Sequence, residues 1–196
     1  FLKGPHRQGG SDVGDAHSWR AGLSYLQAKA RDRDGDLEDM GGVDAETLFT
    51  GTSKTWMADF VWKWAPSGNA AERNFKFAAE YFRRSERGSL LCADNSADGG
   101  ACTGIEDAYR SRQSGFYAQG VYQFMPRWRT GYRYDRLDPG SVDFGVNNAF
   151  LPLSDTKPTR HSLMLDYAPS EFSRLRLQVA KDKSMESVRE NQWFVQ

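Results

Sequence analysis

The ten residues TWMADFVWKW (Thr55–Trp64) alternate so regularly that only an extended strand sorts them cleanly. Trp56, Ala58, Phe60, Trp62 and Trp64 share one face, and Thr55, Met57, Asp59, Val61 and Lys63 share the other. The same rhythm recurs down the chain. Trp19, Ala21, Leu23 and Tyr25 oppose Arg20, Gly22 and Ser24, and Phe75, Phe77, Ala79 and Tyr81 oppose Lys76, Ala78, Glu80, Phe82 and Arg84. Phe116–Phe124, Trp128–Asp135, Ser162–Tyr167 and Arg174–Val179 repeat it, and Asn191–Gln196 is a short final run. The pattern predicts about eight strands of roughly nine to eleven residues, the length that crosses a bilayer at a tilt.

The connections alternate as well. Pro66–Arg73, Pro126–Arg127 and Pro169–Glu171 are short, whereas Arg31–Gly51, Arg87–Ser114, Leu137–Lys157 and Lys183–Glu190 are longer and polar. Short turns at one end and long loops at the other are the habit of outer-membrane barrels. The expected fold is therefore all-β: an antiparallel up-and-down transmembrane β-barrel. All of residues 1–196 belong to that one domain, which reads as the C-terminal part of a larger barrel.

Composition narrows the alternatives. No apolar run approaches the ~20 residues of a membrane helix, and mean hydropathy is −0.70. Balanced charge, 26 basic against 26 acidic residues, does not suit a general nucleic-acid binder. A soluble lipocalin-like barrel or β-sandwich would show the same alternation with its apolar face turned inward. Two features favour lipid: Trp64, Trp128 and Tyr167 lie beside the short turns, where interfacial girdles belong. Ala58, Ala79, Ala118 and Gly120 would fill a compact core poorly.

APSEFSRLRLQVAKDKS (Ala168–Ser184), followed by ENQWFVQ, resembles the last hairpin of a family of proteobacterial outer-membrane barrels described as zinc-regulated, porin-like or TonB-dependent-receptor-like. HSWRAGLSYLQAKARDRD (His17–Asp34) resembles an earlier strand and loop of the same group. The resemblance implies a bacterial outer-membrane location, contact with lipid and lipopolysaccharide, passage or uptake of a small solute, and an energy-coupling partner for receptor-type members. Two departures stand out. Members run on to a terminal strand ending in an aromatic residue, and no stretch here resembles a plug domain or an energy-coupling segment.

In a barrel the polar face would line the lumen. Lys63, Lys76, Arg129, Arg133, Arg174 and Arg176, with Arg20 and Arg84, outnumber Asp59, Glu80, Asp135 and Asp166. Such a wall favours anions, unless each carboxylate is tied to a guanidinium and the interior is plugged. Eight strands alone leave room only for side chains, and open channels need about sixteen. A structural or adhesive barrel with a plugged lumen and ligand-contacting loops is therefore the alternative function.

Cys92 and Cys102 flank nine residues of the longest loop, and in an exposed secreted loop such a pair is expected to form a disulfide. Asp32, Asp34 and Asp36 lie in an acidic stretch that resembles the start of a calcium loop, but Gly35 falls too early and no closing Glu follows. His6, His17 and His161 are far apart in sequence. Ser162 and His161 are adjacent on a strand and point to opposite faces, so they form no catalytic pair. The reading is a non-enzymatic protein without a cofactor.

Overall fold

The computed structural model describes residues 2–153, 155–170, 172–183 and 190–195. Ten strands form one sheet: β1 (Leu2–Lys3), β2 (His6–Val13), β3 (His17–Glu38), β4 (Asp44–Trp64), β5 (Asn74–Cys92), β6 (Ile105–Met125), β7 (Trp128–Asp143), β8 (Thr159–Ser170), β9 (Ser173–Lys183) and β10 (Glu190–Val195). From β3 to β10 each strand pairs antiparallel with the next, up and down. Both β1 and β2 pair with β3, forming one edge interrupted at Gly4–Pro5. The two edges do not pair with each other, so the sheet is open rather than a closed barrel.

The expected strands are all present, but five are far longer than expected. β3 has 22 residues, β4 and β6 have 21, β5 has 19 and β7 has 16. What the sequence suggests as long loops is largely strand. Beyond the alternating band the faces exchange character: Phe49, Leu90 and Tyr109 lie on the formerly polar face, and Lys54, Arg87 and Arg110 on the formerly apolar one. The periodicity is thus interrupted while the ladder of backbone hydrogen bonds continues. The true connections shrink to residues 39–43, 93–104 and 144–158. The last long connection lies mostly outside the described residues, as does Glu171 of the β8–β9 turn. The polar stretch HRQGGSDV, unassigned by pattern, forms β2.

Register keeps the two faces separate across the sheet. Trp19, Trp62, Phe77, Gly120, Tyr132, Leu163 and Val179 are successive partners, strand to strand. Exposure is inverted relative to a soluble sheet. Trp56 is 51% exposed, Leu163 59% and Leu175 56%, whereas Asp59 and Glu80 on the opposite face are half-buried and Asp166 is buried. The sheet curls so that its polar face is the sheltered one.

The compact core sits at the long-connection end, over the polar face. Phe49, Leu90, Cys92, Tyr109, Phe144 and Leu151 pack there with Ala45 and Cys102. Phe49 meets Tyr109 edge-on at 5.2 Å, and Tyr109 leans on Phe144 at 5.7 Å. Gly51 and Gly88 face each other beneath this cluster. A Cβ on Gly51 would come within 2.7 Å of the Gly88 Cα and 2.8 Å of the Phe49 ring, so the cluster seats only because both side chains are missing.

Candidate functional site

The polar face is built in rows, because a residue's register partner lies at the same height on the next strand. Nearest the short turns, Gln123, Arg129, Asp166 and Arg176 are successive partners. Next come Lys63, Lys76, Val121, Gly131, Met164 and Gln178. Two rows higher run Asp59, Glu80, Tyr117, Asp135, Arg160 and Asp182. Above them Met57, Phe82, Gly115 and Leu137 make an apolar row. Over β7–β9 this face forms a trough of about 840 Å³, which Lys76, Arg129, Arg133, Asp135, Asp166 and Arg176 help to line.

The charges are more paired than the sequence count suggests. Asp166, 2% exposed, accepts from Arg176 Nε at 2.7 Å and Nη2 at 3.0 Å, and also from Arg174. Arg133 grips Asp135 with Nε at 2.9 and 3.0 Å and Nη2 at 2.6 Å, while its guanidinium lies 4.0 Å over the Tyr117 ring. Arg129 Nε donates to Gln123 Oε1 at 3.0 Å. Arg20 stands 3.9 Å from Asp59. Among the described residues, Lys63 and Lys76 lie opposite each other with no carboxylate within ion-pair distance. The net positive character of the trough therefore comes from Lys76 and Arg129, which among the described residues have no carboxylate within ion-pair distance, and from the two arginines that share Asp166.

A second ionic cluster lies deeper, under the cap. Glu86, 4% exposed, is clasped by Arg33 Nη1 at 2.8 Å and Nη2 at 3.3 Å and by Arg84. Arg84 Nε also donates to Ser53 Oγ at 3.1 Å. Sequence periodicity points to Arg84 but misses Glu86 and Arg33. Glu86 continues the parity of Glu80. Arg33 reaches this face because a bulge follows Ala30 and shifts the register by one residue. Asp32 occupies that bulge with φ of 47°, where its amide donates to Thr50 Oγ1 at 2.9 Å.

The connections are knitted together above this cluster. Cys92 and Cys102 form a disulfide. Asp39, 4% exposed, joins the two nearest connections: its Oδ2 accepts Ala101 N at 2.6 Å and Asn95 Nδ2 at 2.9 Å, and its Oδ1 accepts Gly41 N at 2.8 Å and Val43 N at 3.1 Å. These donors, led by the Ala101 amide, hold its carboxyl down at about 2. Met40 N donates to Phe150 O at 2.8 Å, tying in the third connection. Asn147, fully buried, donates to Leu90 O at 3.2 Å and Ile105 O at 3.1 Å.

The acidic stretch does not form a cation-wrapping loop. Asp34 and Asp36 are exposed strand residues of β3, paired with Leu48 and Glu46, and Asp32 is held by Thr50 in the bulge. Among the described residues no three His, Cys, Asp or Glu side chains converge as a metal-ligand set. The three histidines stay apart: His6 bonds Ser24, His17 stacks on Trp62, and His161 meets the Tyr132 hydroxyl.

No family model matches the chain. It is similar to an uncharacterized protein of Aquifex aeolicus (strain VF5), with 30% identity over 173 residues; that alignment covers 88% of this chain and 32% of the relative, so the chain spans about a third of the relative's length.

Proposed function

We propose that this sheet is part of the wall of a transmembrane β-barrel in a bacterial outer membrane, and that its polar face lines a passage for a small anionic solute. One observation carries the reading: apolar side chains such as Trp56, Leu163 and Leu175 stand exposed on one face while the carboxylates of Asp59, Glu80, Asp135 and Asp166 are half-buried or buried on the other. In water that arrangement wastes the hydrophobic effect; against lipid it exploits it. Aromatic pairs mark both borders of the apolar band, Trp128 with Tyr167 at 4.6 Å and Tyr25 with Trp56 at 4.5 Å. The resemblance of Ala168–Ser184 and His17–Asp34 to outer-membrane barrels points the same way.

Lys63, Lys76 and Arg129 would supply the attraction for anions near the short-turn mouth. A second reading, a plugged structural or adhesive barrel, draws support from the cap, whose buried Asn147 and Leu151 cover the polar face at the other end. Conductance of the full-length protein in planar bilayers under a potassium chloride gradient separates the two. Steady channels with a reversal potential favouring chloride support passage, and insertion without conductance supports the plugged barrel. Failure to insert into bilayers would overturn both.

A further inference from the structure

The apolar face carries a second kind of band. Just beyond Trp56 and Tyr25, toward the long connections, the same face presents Lys29, Lys54, Arg83, Arg87, Arg110 and Arg112, all exposed. Register sets them close together. Arg83 is the direct partner of Trp56, Ser85 lies between Lys54 and Arg112, and Arg87 stands directly opposite Arg110. Like charges directly opposed on a ladder destabilise it, yet among the described residues none of the six has a carboxylate within ion-pair distance. The acids closest in register are engaged elsewhere: Asp143, opposite Arg110, accepts from Gly145 N and Asn148 Nδ2, and Asp138 holds Lys157 and Gly140 N. Farther along the face the sign reverses, with Asp34, Asp36, Glu46 and Glu106. Arg136, Lys181 and Lys183 stand lower on the same face, on β7 and β9. On β4–β6 the cations are therefore confined to the rows between Trp56 and Thr52. A groove of about 680 Å³ opens there, lined by Lys54, Trp56, Arg83, Arg87 and Arg112 among others.

We infer that this groove binds the phosphate groups of a phosphorylated glycolipid whose acyl chains lie along the apolar band below. The inference rests on the membrane reading above and adds a ligand to it. Three facts select this occupant: several guanidinium groups converge without a protein anion, Arg matches phosphate with forked donors, and the apolar band begins at Trp56 on the same surface. A headgroup phosphate at this height offsets the Arg87–Arg110 repulsion while its chains cover Phe60, Tyr81 and Leu23.

The test uses the full-length protein in neutral detergent micelles, with bisphosphorylated lipid A, its dephosphorylated counterpart and inorganic phosphate as probes. Lipid A is expected to bind, the dephosphorylated lipid and free phosphate to bind far more weakly, and affinity to fall as salt is raised. The triple variant Arg83→Gln, Arg87→Gln, Arg112→Gln is expected to lose on the order of a hundredfold in affinity, at about fivefold per charge. Lys63→Gln with Lys76→Gln, on the opposite face, should leave binding unchanged. Equal binding of the dephosphorylated lipid, indifference to salt, or free phosphate binding as tightly as lipid A overturns the proposal, even if the triple variant does not fold. Insertion into phosphatidylcholine vesicles is scored alongside: failure there sinks the membrane reading, whereas insertion with unselective lipid binding sinks only this site.

Discussion

Leu165 and Asp166 are neighbours in the chain, yet Leu165 is 39% exposed and Asp166 is 2% exposed. Across β8 the hydrophobic side chain faces the surroundings and the charged one faces the sheltered trough. Because side chains alternate along a strand, that single pair reports the orientation of the sheet, and Phe60 beside Asp59 repeats it.

Phe60→Arg tests what lies against the apolar face. In a bilayer a mid-band arginine on the lipid face should cost about 2–4 kcal/mol, whereas at a water-exposed position the change should stay within about 0.5 kcal/mol. Urea unfolding in lipid vesicles, compared with the wild type, reads the difference. A cost below ~1 kcal/mol would argue against lipid contact at this site.

Asp166→Asn strips Arg174 and Arg176 of their shared carboxylate. Breaking a buried pair costs about 3–5 kcal/mol, but the Arg174 side chain is 50% exposed and water will solvate part of its charge. The expected loss is about 1–3 kcal/mol in urea unfolding. If the trough conducts, the freed positive charge should also move the reversal potential further toward chloride.

Reducing the Cys92–Cys102 disulfide should loosen the cap without dissolving the sheet. A loop of this length contributes about 2–4 kcal/mol by constraining the unfolded chain, and the strands below keep their own ladders. Hydrogen exchange is expected to accelerate in residues 93–104 and 39–43, which Asp39 couples, and to change little in β8 and β9. Uniform acceleration across the sheet would show that the cap is not a separate unit.

The Asp39 carboxyl sits at about 2 against an ordinary 3.8. A lowered folded value means the contribution to stability is complete above the unfolded value and is lost as pH falls through the folded one. The cap should therefore keep its packing when the pH is brought down to about 4 and loosen only on approach to pH 2. Near-UV circular dichroism of the Phe49–Tyr109–Phe144 cluster follows this. Asp39→Asn should loosen the cap already at neutral pH, because its amide hydrogens would confront the Ala101 amide or the Asn95 side chain. A neutral-pH spectrum identical to the wild type would refute Asp39 as the tie.

Much of the sheet was legible in the chain because a period of two is a local signal. Trp56 through Trp64 need no distant partner to reveal two faces, and the placement of Lys63, Lys76, Arg129 and Asp166 on the polar face follows from the same parity. What parity leaves open is how the charges combine. Arg174 and Asp166 are eight residues apart on different strands, so their pairing depends on the β8–β9 register. Arg33 was hidden for a sharper reason: the bulge at Asp32 reverses parity partway along β3, and no pattern rule anticipates a one-residue insertion.

The sequence by itself determined the all-β class and which residues share a face along the alternating band, since each depends on neighbours a few positions apart. The expected alternation of short and long connections did not survive, because residues 65–73 form a longer connection than residues 39–43. Only the tertiary structure decided which face is sheltered, that the strands run on past the apolar band, and that three connections fold over the polar face as one cap. Those outcomes depend on sheet curvature and on contacts such as Asp39 with Ala101 and Met40 with Phe150, between residues about 60 to 110 positions apart. Contacts at such separations carry a loop-closure cost and a geometry that no local pattern encodes.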